Sequence, residues 1–270
     1  MKPADRQPGP EFLLASILLE PARWRPGRPP TLRVSEWSDR VAAAGFDGWE
    51  LFENHYRKAS QQEQAALAAS ALPVRVLNTY EAFTGSEPNS HQEALTTALR
   101  LGASGIKFNV GRERSSWPEE KKAIGAAVQR LGPATQLLCE CHPGTSLETS
   151  DALRDFIAGP TGWPFGIIVH PFLITPEQIL DWGLVAGPHL RHAHVQMRGP
   201  DGPNHFIALA DDAPRARDCL AALAATGFAG SFSFEFAAPT GRADETPETL
   251  FAAARQDLDF LREHWRPTNR

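Results

Sequence analysis

Short apolar runs alternate with polar, helix-like segments along almost the whole sequence, and this alternation constrains the fold more than any other feature. Aliphatic, β-branched and aromatic residues concentrate in eight runs, which are predicted to be strands. The runs are Glu11–Glu20, Asp47–Asn54, Pro73–Tyr80, Ser104–Gly111, Gln136–Pro143, Phe165–Phe172, Leu190–Met197 and Gly230–Ala237. Eight strands alternating with helices in 270 residues predict a (β/α)8 TIM barrel, an α/β fold that typically takes about 250 residues.

Helix-start signals support the same alternation. Thr175 and Thr246 are each followed by proline, which places a capping hydroxyl before the first helical position. Ser60 and Glu63 have the spacing of a capping box. A doubly wound open sheet is the alternative architecture. No Gly-x-Gly-x-x-Gly loop follows the first run, which disfavours a dinucleotide-binding sheet and favours the barrel.

The chain is predicted to form a single domain, because no linker or shift in composition divides residues 1–270. Residues 1–10 are expected to be a loose leader and residues 267–270 a loose tail. The apolar stretch Leu13–Leu19 is far shorter than the roughly 20 residues that span a bilayer. It also lacks the features of an export signal, so we expect no membrane association.

Charge and cysteine content narrow the expected partners. The chain has 27 basic and 32 acidic residues and a net charge of −5, so no strongly basic surface is expected to hold nucleic acid. Three cysteines, Cys139, Cys141 and Cys219, are too few for a disulfide scaffold, which favours a reducing, cytoplasmic setting. The expected partner is a small molecule, and homo-oligomerisation stays open.

Polar residues end four consecutive predicted strands. Glu140, His170, His194 and Glu235 lie at the ends of the fifth to eighth runs. In a barrel, side chains at these strand ends face a common site. Two carboxylates and two imidazoles suit Mn²⁺, Fe²⁺, Co²⁺ or Zn²⁺ better than Ca²⁺ or Mg²⁺, which prefer all-oxygen shells. The sequence therefore predicts one divalent metal ion at this end of the barrel.

The motifs around these residues resemble those of the xylose isomerase-like barrels. That family includes sugar epimerases, isomerases, inosose dehydratases and, more distantly, metal-dependent AP endonucleases. The resemblance covers nearly the whole chain and rests on Gly48-Trp49-Glu50-Leu51-Phe52, Leu138-Cys139-Glu140-Cys141-His142-Pro143-Gly144, His192-Ala193-His194-Val195-Gln196 and Gly227-Phe228-Ala229-Gly230 leading to Phe234-Glu235. It implies that Glu140, His170, His194 and Glu235 are the metal ligands.

The resemblance also implies an activity, the metal-dependent isomerisation or epimerisation of a keto-sugar or related polyol through an enediolate. Glu140 and Glu235 would be the catalytic residues that move the proton. The predicted substrate contacts are Glu50, Lys107, Asn109, His142, Gln196 and Arg198. The aromatic residues predicted to line an apolar wall are Trp24, Trp49, Phe52, Tyr80 and Trp117.

The sequence departs from the family pattern mainly on the substrate side. The second metal ligand, usually Asp, is His170, and Leu173 stands where a substrate-binding His is common. Met197-Arg198-Gly199 replaces a usual Lys-Asp pair. Three alternative functions therefore stay open: a lyase (dehydratase) acting on a keto-sugar or inosose, a barrel that keeps the metal without turnover, and an AP endonuclease-type nuclease, which the net charge disfavours.

Overall fold

The computed structural model describes residues 9–21, 23–27, 30–82, 88–158, 165–202 and 205–267, without the side chains of residues 81, 82 and 88–90. The predicted leader and tail therefore lie largely outside the described residues. No helix within the described ranges is long and apolar enough to cross a membrane.

Eight parallel strands close into a barrel. They are β1 (Phe12–Ala15), β2 (Gly48–Phe52), β3 (Val74–Ala82), β4 (Gly105–Asn109), β5 (Gln136–Glu140), β6 (Gly166–Val169), β7 (Leu190–Val195) and β8 (Ser231–Phe234). Each strand pairs with its neighbours in sequence, and β8 pairs with both β7 and β1. This closure confirms the predicted TIM barrel and excludes the open doubly wound sheet, which would leave two unpaired edges.

Helices fill the connections between successive strands. They are α1 (Ser38–Ala43), α2 (Asn54–Arg57), α3 (Gln61–Ala68), α4 (Pro88–Leu101), α5 (Trp117–Leu131), α6 (Ser150–Ile157), α7 (Pro176–Ala186), α8 (Ala213–Ala225) and α9 (Pro247–His264). Thr175 and Thr246 cap α7 and α9 as predicted. Ser60 caps α3, accepting from the amide of Glu63 at 3.2 Å. The predicted box is only half formed, because the Glu63 carboxylate instead accepts from the amide and hydroxyl of Ser35.

The apolar runs extend beyond the strands that they contain. The first run forms only four residues of strand, and Ser16–Leu19 continue as a 3-10 helix. The Ser16 hydroxyl accepts from the amide of Phe52 at 2.8 Å, a side-chain hydrogen bond that competes with a continued strand. A short antiparallel pair in the β7–α8 connection, Met197–Arg198 with Phe206–Ile207, was not predicted.

The two faces of β8 show how the strands position the site. Phe232 stacks on Phe12 and Phe234 meets Phe46 edge-on, at centroid distances of 5.8 and 5.5 Å, in the layer between strands and helices. Because side chains alternate along a strand, Ser231 and the residues two and four further on face the barrel interior. The outer face therefore builds the core, and the inner face supplies polar groups.

The barrel interior changes character along its axis. Leu13, Val76, Leu138 and Ile168 form a buried apolar cluster. Val76, Leu138 and Ile168 are each followed, two positions later, by a buried polar residue. Because side chains alternate along a strand, each polar residue faces the same interior, one layer closer to the carboxyl end of its strand. The polar residues are Asn78, Glu140 and His170. An apolar layer therefore lies beneath a polar one.

Candidate functional site

A cavity of about 390 Å³ opens at the carboxyl ends of the strands, where barrel proteins usually carry their functional sites. Its polar lining includes Lys107, Glu140, His170, Gln196 and Glu235. Trp24, Tyr80, Trp182 and Phe236 supply much of its apolar lining.

The four predicted metal ligands come together beside this cavity. One ligand atom from each lies within 4.8 Å of the others, and all four residues are buried. Glu140 Oε1 lies 3.2 Å from His170 Nε2 and 3.1 Å from His194 Nδ1. Glu235 Oε2 lies 3.3 Å from His194 Nδ1. We call these four residues the rim cluster.

The donor set of the rim cluster fits a divalent cation. His170 Nε2 faces His194 Nδ1 at only 2.9 Å, and at most one proton can lie between two ring nitrogens. Two carboxylate oxygens point toward the same space. A cation relieves this convergence of lone pairs, and two nitrogens with two oxygens suit a first-row transition metal or zinc.

The carboxylates around His194 favour positive charge at this position. Burial alone would lower the pKa of His194, but the carboxylates of Glu235 and Glu50 hold this pKa well above its usual value. Burial lowers the pKa of His170, which favours its neutral ring. The rim cluster therefore favours positive charge beside His194, a requirement that a bound cation also meets.

Lys107 and Asn109 hold the other oxygen of Glu140. Lys107 Nζ lies 2.6 Å from Glu140 Oε2, and Asn109 Nδ2 donates to the same oxygen at 3.1 Å. Burial would raise the pKa of Glu140, but Lys107 and the two imidazoles hold it well below its usual range. The structure places Asn109 against Glu140, outside the lining of the cavity, and its contact with a substrate stays a prediction.

Glu235 is less constrained than Glu140. Gln196 Nε2 donates to Glu235 Oε2 at 2.7 Å, which places Gln196 beside the rim cluster and at the cavity. Within the described part of the chain, Glu235 Oε1 makes no hydrogen bond. One carboxylate of the rim cluster therefore has both oxygens engaged, and the other keeps one oxygen for a ligand.

Glu50 lies deeper in the barrel than its predicted role requires. Its Oε2 lies 2.9 Å from His192 Nε2 and 3.2 Å from His194 Nε2, and Asn78 Nδ2 donates to Oε1 at 2.5 Å. Burial would raise the pKa of Glu50, but the two imidazoles hold it well below its usual value. Glu50 is completely buried and does not line the cavity, and its contact with a substrate hydroxyl stays a prediction. The structure places Glu50 behind His194.

Two further predicted contacts lie at the cavity mouth. His142 is half-buried, with its Nδ1 2.7 Å from the carbonyl oxygen of Pro143 and its Nε2 3.7 Å from Glu140 Oε2. Arg198 is exposed and borders the cavity. Among the described residues its guanidinium has no ion-pair partner, so it is available to an anionic or hydroxylated ligand.

The aromatic residues predicted to form an apolar wall divide into two groups. Trp24 and Tyr80 border the cavity. Trp49 and Phe52 are completely buried, and Trp117 packs edge-on against α6. The alternation of β2 explains part of this result, because a strand that turns Glu50 inward turns Trp49 outward into the helix layer.

Comparisons with known proteins identify the fold. No protein-family model and no curated protein matches the chain. Three solved structures are similar to it over nearly their whole lengths. They are the IolI protein with a bound zinc atom (15% identity, TM-score 0.67, 94% of this chain and 99% of that one), the probable 3-DHS dehydratase AsbF from Bacillus anthracis (13%, 0.66, 93% and 98%) and the 3-keto-D-glucoside 4-epimerase YcjR from E. coli (16%, 0.62, 94% and 99%).

Other similar structures carry related descriptions. Two are xylose isomerase-like TIM barrels, of which one is a longer fusion protein and the chain spans 42% of it. Another is endonuclease IV from Thermus thermophilus. At such low sequence identities the likeness concerns the fold alone. The chain therefore shares the fold of the xylose isomerase-like barrels.

Proposed function

We propose that the protein is a metal-dependent isomerase or epimerase that acts on a keto-sugar or a related polyol. The observation that carries this proposal is the convergence of Glu140, His170, His194 and Glu235 beside a cavity at the carboxyl ends of the strands. Proteins of the same fold include an epimerase and a zinc-binding protein, which supports the choice of a metal-dependent reaction on a sugar.

The rim cluster would hold one Mn²⁺, Fe²⁺, Co²⁺ or Zn²⁺ ion. When bound, such an ion supplies Lewis acidity to the carbonyl and neighbouring hydroxyl oxygens of a substrate. Lys107 and Gln196 border the cavity beside the two carboxylates and are placed to donate hydrogen bonds to further substrate oxygens. Arg198 at the mouth would contact the far end of the substrate.

The two carboxylates have different roles in this proposal. Glu235, with a free oxygen, takes the proton from the carbon next to the carbonyl and returns it. Both oxygens of Glu140 already contact neighbouring groups, and Lys107 Nζ lies 2.6 Å from one of them. Glu140 therefore mainly supplies a negative charge at a fixed position beside the metal. A reaction that inverts the carbon also needs a proton donor on the opposite face. Glu140 fills that role once it has taken a proton, and Lys107 Nζ, beside its Oε2, is placed to supply it.

A dehydratase is the second candidate. A protein of the same fold is a probable dehydratase, and elimination starts with the same proton removal by Glu235. A hydroxyl group then leaves from the next carbon and needs a proton. His142 is half-buried at the cavity, 3.7 Å from Glu140, and is the imidazole placed to donate it.

Deuterium exchange and product mass together test both candidates. The metal-loaded protein is incubated with a panel of keto-sugars and inososes in D₂O, and the products are analysed by NMR and mass spectrometry. An isomerase or epimerase gives a product that differs in mass only by the exchanged deuterium. A dehydratase gives a product lighter by one water.

Variants connect the activity to the site. We expect Glu235→Gln to abolish exchange, since an amide cannot take the proton. Glu119→Gln is the control, because Glu119 is an exposed acidic residue that does not line the cavity; it should retain activity. A protein that binds metal but catalyses no exchange with any substrate would contradict the proposal and favour a barrel without turnover.

A further inference from the structure

A chain of polar side chains runs through the barrel interior and ends at the rim cluster. Ser231 Oγ, at the start of β8, lies 2.7 Å from His192 Nδ1. His192 Nε2 lies 2.9 Å from Glu50 Oε2, and the same oxygen lies 3.2 Å from His194 Nε2. We call these four residues the axial chain. Three of them, Glu50, His192 and His194, are completely buried.

The chemistry of the rings assigns a donor and an acceptor to each hydrogen bond of the axial chain. A carboxylate only accepts hydrogen bonds, and a neutral imidazole has one N–H group and one lone pair. His194 therefore donates from Nε2 to Glu50, and in the neutral form that binds a metal the lone pair of its Nδ1 faces the rim cluster. His192 likewise donates from Nε2 to Glu50, and its Nδ1 accepts from the Ser231 hydroxyl.

Glu50 is itself held on both oxygens. Its Oε2 receives the two imidazole N–H groups, and its Oε1 receives the Asn78 amide at 2.5 Å. Neither Glu50 nor His192 borders the cavity. Whatever Glu50 does for the site must act through His194.

We propose that Glu50 is a positioning residue that presents His194 Nδ1 to the metal ion. This inference rests on the proposed metal site of the rim cluster. Carboxylates that accept the second N–H of a metal-bound imidazole fix its tautomer and raise its basicity, and their loss typically lowers metal affinity by about 10–100-fold. His192, Ser231 and Asn78 hold the carboxylate in place.

A competing interpretation is a second metal site. Glu50, His192 and His194 also have ligand atoms within 4.8 Å of one another. However, Asn78 already donates a hydrogen bond to Oε1 of Glu50, and the cavity does not reach this group of residues. The contacts of 2.9 and 3.2 Å are hydrogen-bond distances. The two interpretations differ in the number of ions per chain, which is one or two.

The chain contains a matched control for Glu50. Glu20 is a buried carboxylate whose Oε2 lies 2.9 Å from His55 Nε2, and His55 Nδ1 lies 2.8 Å from Ser16 Oγ. No residue of this group belongs to the rim cluster. Glu20→Gln therefore removes the same charge from the same kind of buried carboxylate–imidazole contact, away from the site.

The experiment measures the affinity of the metal-free protein for Zn²⁺ and Co²⁺ by competition with a chelator, together with ions bound per chain. We expect one ion in the wild type, an affinity about 10–100-fold lower in Glu50→Gln and an unchanged affinity in Glu20→Gln. Should Glu50→Gln fail to fold, Ser231→Ala, at the partly exposed end of the axial chain, should lower the affinity less but in the same direction.

A second measurement addresses the ring directly. Nitrogen-15 NMR of the zinc-loaded wild type should show His194 with the metal on Nδ1 and a proton on Nε2. The inference is overturned if the proton lies on Nδ1, or if Glu50→Gln and Ser231→Ala bind metal like the wild type. Two ions in the wild type, with one lost in Glu50→Gln, would establish the second metal site instead. A wild type that binds no ion would overturn the proposed function as well.

Discussion

Two Ser–His–Glu arrangements with nearly the same geometry lie in different regions of the barrel. They are Ser16–His55–Glu20 and Ser231–His192–Glu50. The serine oxygen lies 2.8 Å from the histidine Nδ1 in the first and 2.7 Å in the second, and the histidine Nε2 lies 2.9 Å from the glutamate in both. We call the first the loop chain, and the second belongs to the axial chain.

The next contact of the glutamate distinguishes the two regions. Glu20 accepts from the amide and hydroxyl of Thr31 at 2.8 and 2.6 Å and from the amide of Leu32 at 3.2 Å, so the loop chain anchors the backbone after β1. Glu50 instead accepts from His194, a residue of the rim cluster. The same three residue types therefore serve a loop in one region and a candidate metal site in the other.

Each region also contains a buried cation paired with a carboxylate. Arg23 pairs with Glu245 and donates to the carbonyl oxygens of Ile17 and Leu18. Lys107 pairs with Glu140 of the rim cluster. The first cation therefore bonds mainly to loop backbone, whereas the second compensates the charge of a proposed metal ligand.

The largest expected difference between the regions concerns their imidazoles. His194→Ala should lose its bound metal on dialysis, because the change removes a ligand. Its metal affinity should fall by more than the roughly 10–100-fold that is typical of losing an outer-shell residue. His55→Ala should keep the metal and lose only stability, since His55 contacts the loop chain. Elemental analysis and thermal unfolding of both variants check this. Full metal content in His194→Ala would contradict the site.

The two buried cations should respond differently to metal. Lys107→Met and Arg23→Met each break a buried ion pair, which typically destabilises by about 3–5 kcal/mol. A bound divalent ion would compensate Glu140 in Lys107→Met but cannot reach Glu245 in Arg23→Met. We therefore expect Zn²⁺ to raise the Tm of Lys107→Met more than it raises the Tm of the wild type. The Tm of Arg23→Met should rise by the same amount as that of the wild type. Equal shifts in all three proteins would contradict the charge-compensating role of Lys107.

Asp257 is a buried acid outside both regions, and its titration contributes to the pH dependence of the protein's stability. Burial raises the pKa of Asp257 to about 7, against about 4 in an unfolded chain. Between these values the folded protein holds a proton that the unfolded chain lacks. Stability from this group is therefore present at low pH and lost as the pH rises toward 7, by about 1.4 kcal/mol per pH unit.

Asp257→Asn should remove this slope. The variant keeps an acceptor for the Leu209 amide, which donates to Asp257 Oδ1 at 2.8 Å, and it carries no charge. Denaturant unfolding from pH 4 to pH 8 should give a flatter profile than the wild type and higher stability at pH 8. An unchanged slope would mean that Asp257 titrates normally in the folded protein.

The smallest expected effect concerns the two serines. Ser16 is completely buried and its hydroxyl also accepts from the Phe52 amide, so Ser16→Ala leaves two polar groups unpaired and should cost about 1–3 kcal/mol. Ser231 is partly exposed, so water can replace its hydroxyl and Ser231→Ala should cost less than about 1 kcal/mol. Urea unfolding of the two variants checks the order. A larger loss in Ser231→Ala would contradict it.

Much of this architecture follows from local sequence patterns. The alternation of apolar runs predicts the eight strands, and strand alternation predicts that Phe232 and Phe234 face away from Ser231 and Glu235. The positions of Glu140, His170 and His194 at strand ends follow from the same patterns, and the structure brings all three together with Glu235. Their role as metal ligands stays a prediction.

The position of Glu50 could not be predicted in this way. Its contact with His192 joins residues 142 positions apart, and it depends on how far β2 is shifted along the barrel axis relative to β7. This shift is set by the packing of all eight strands together, so no local sequence pattern predicts it. The alternation of β2 does show that Glu50 and Trp49 face opposite sides, so the burial of Trp49 was predictable from the sequence.

The closed set of hydrogen bonds within the axial chain has a consequence for how this sequence can change over evolutionary time. Replacing Glu50 alone leaves two buried imidazoles without an acceptor, and replacing His192 alone leaves a buried carboxylate short of a donor. Exchanging both partners for apolar residues of similar shape can be nearly neutral. Changing both positions still leaves His194 Nε2 without its acceptor. Substitutions of Glu50 and His192 should therefore be epistatic, with the double change costing less than the sum of the two single changes. A lineage leaving this arrangement must pass through a destabilised intermediate.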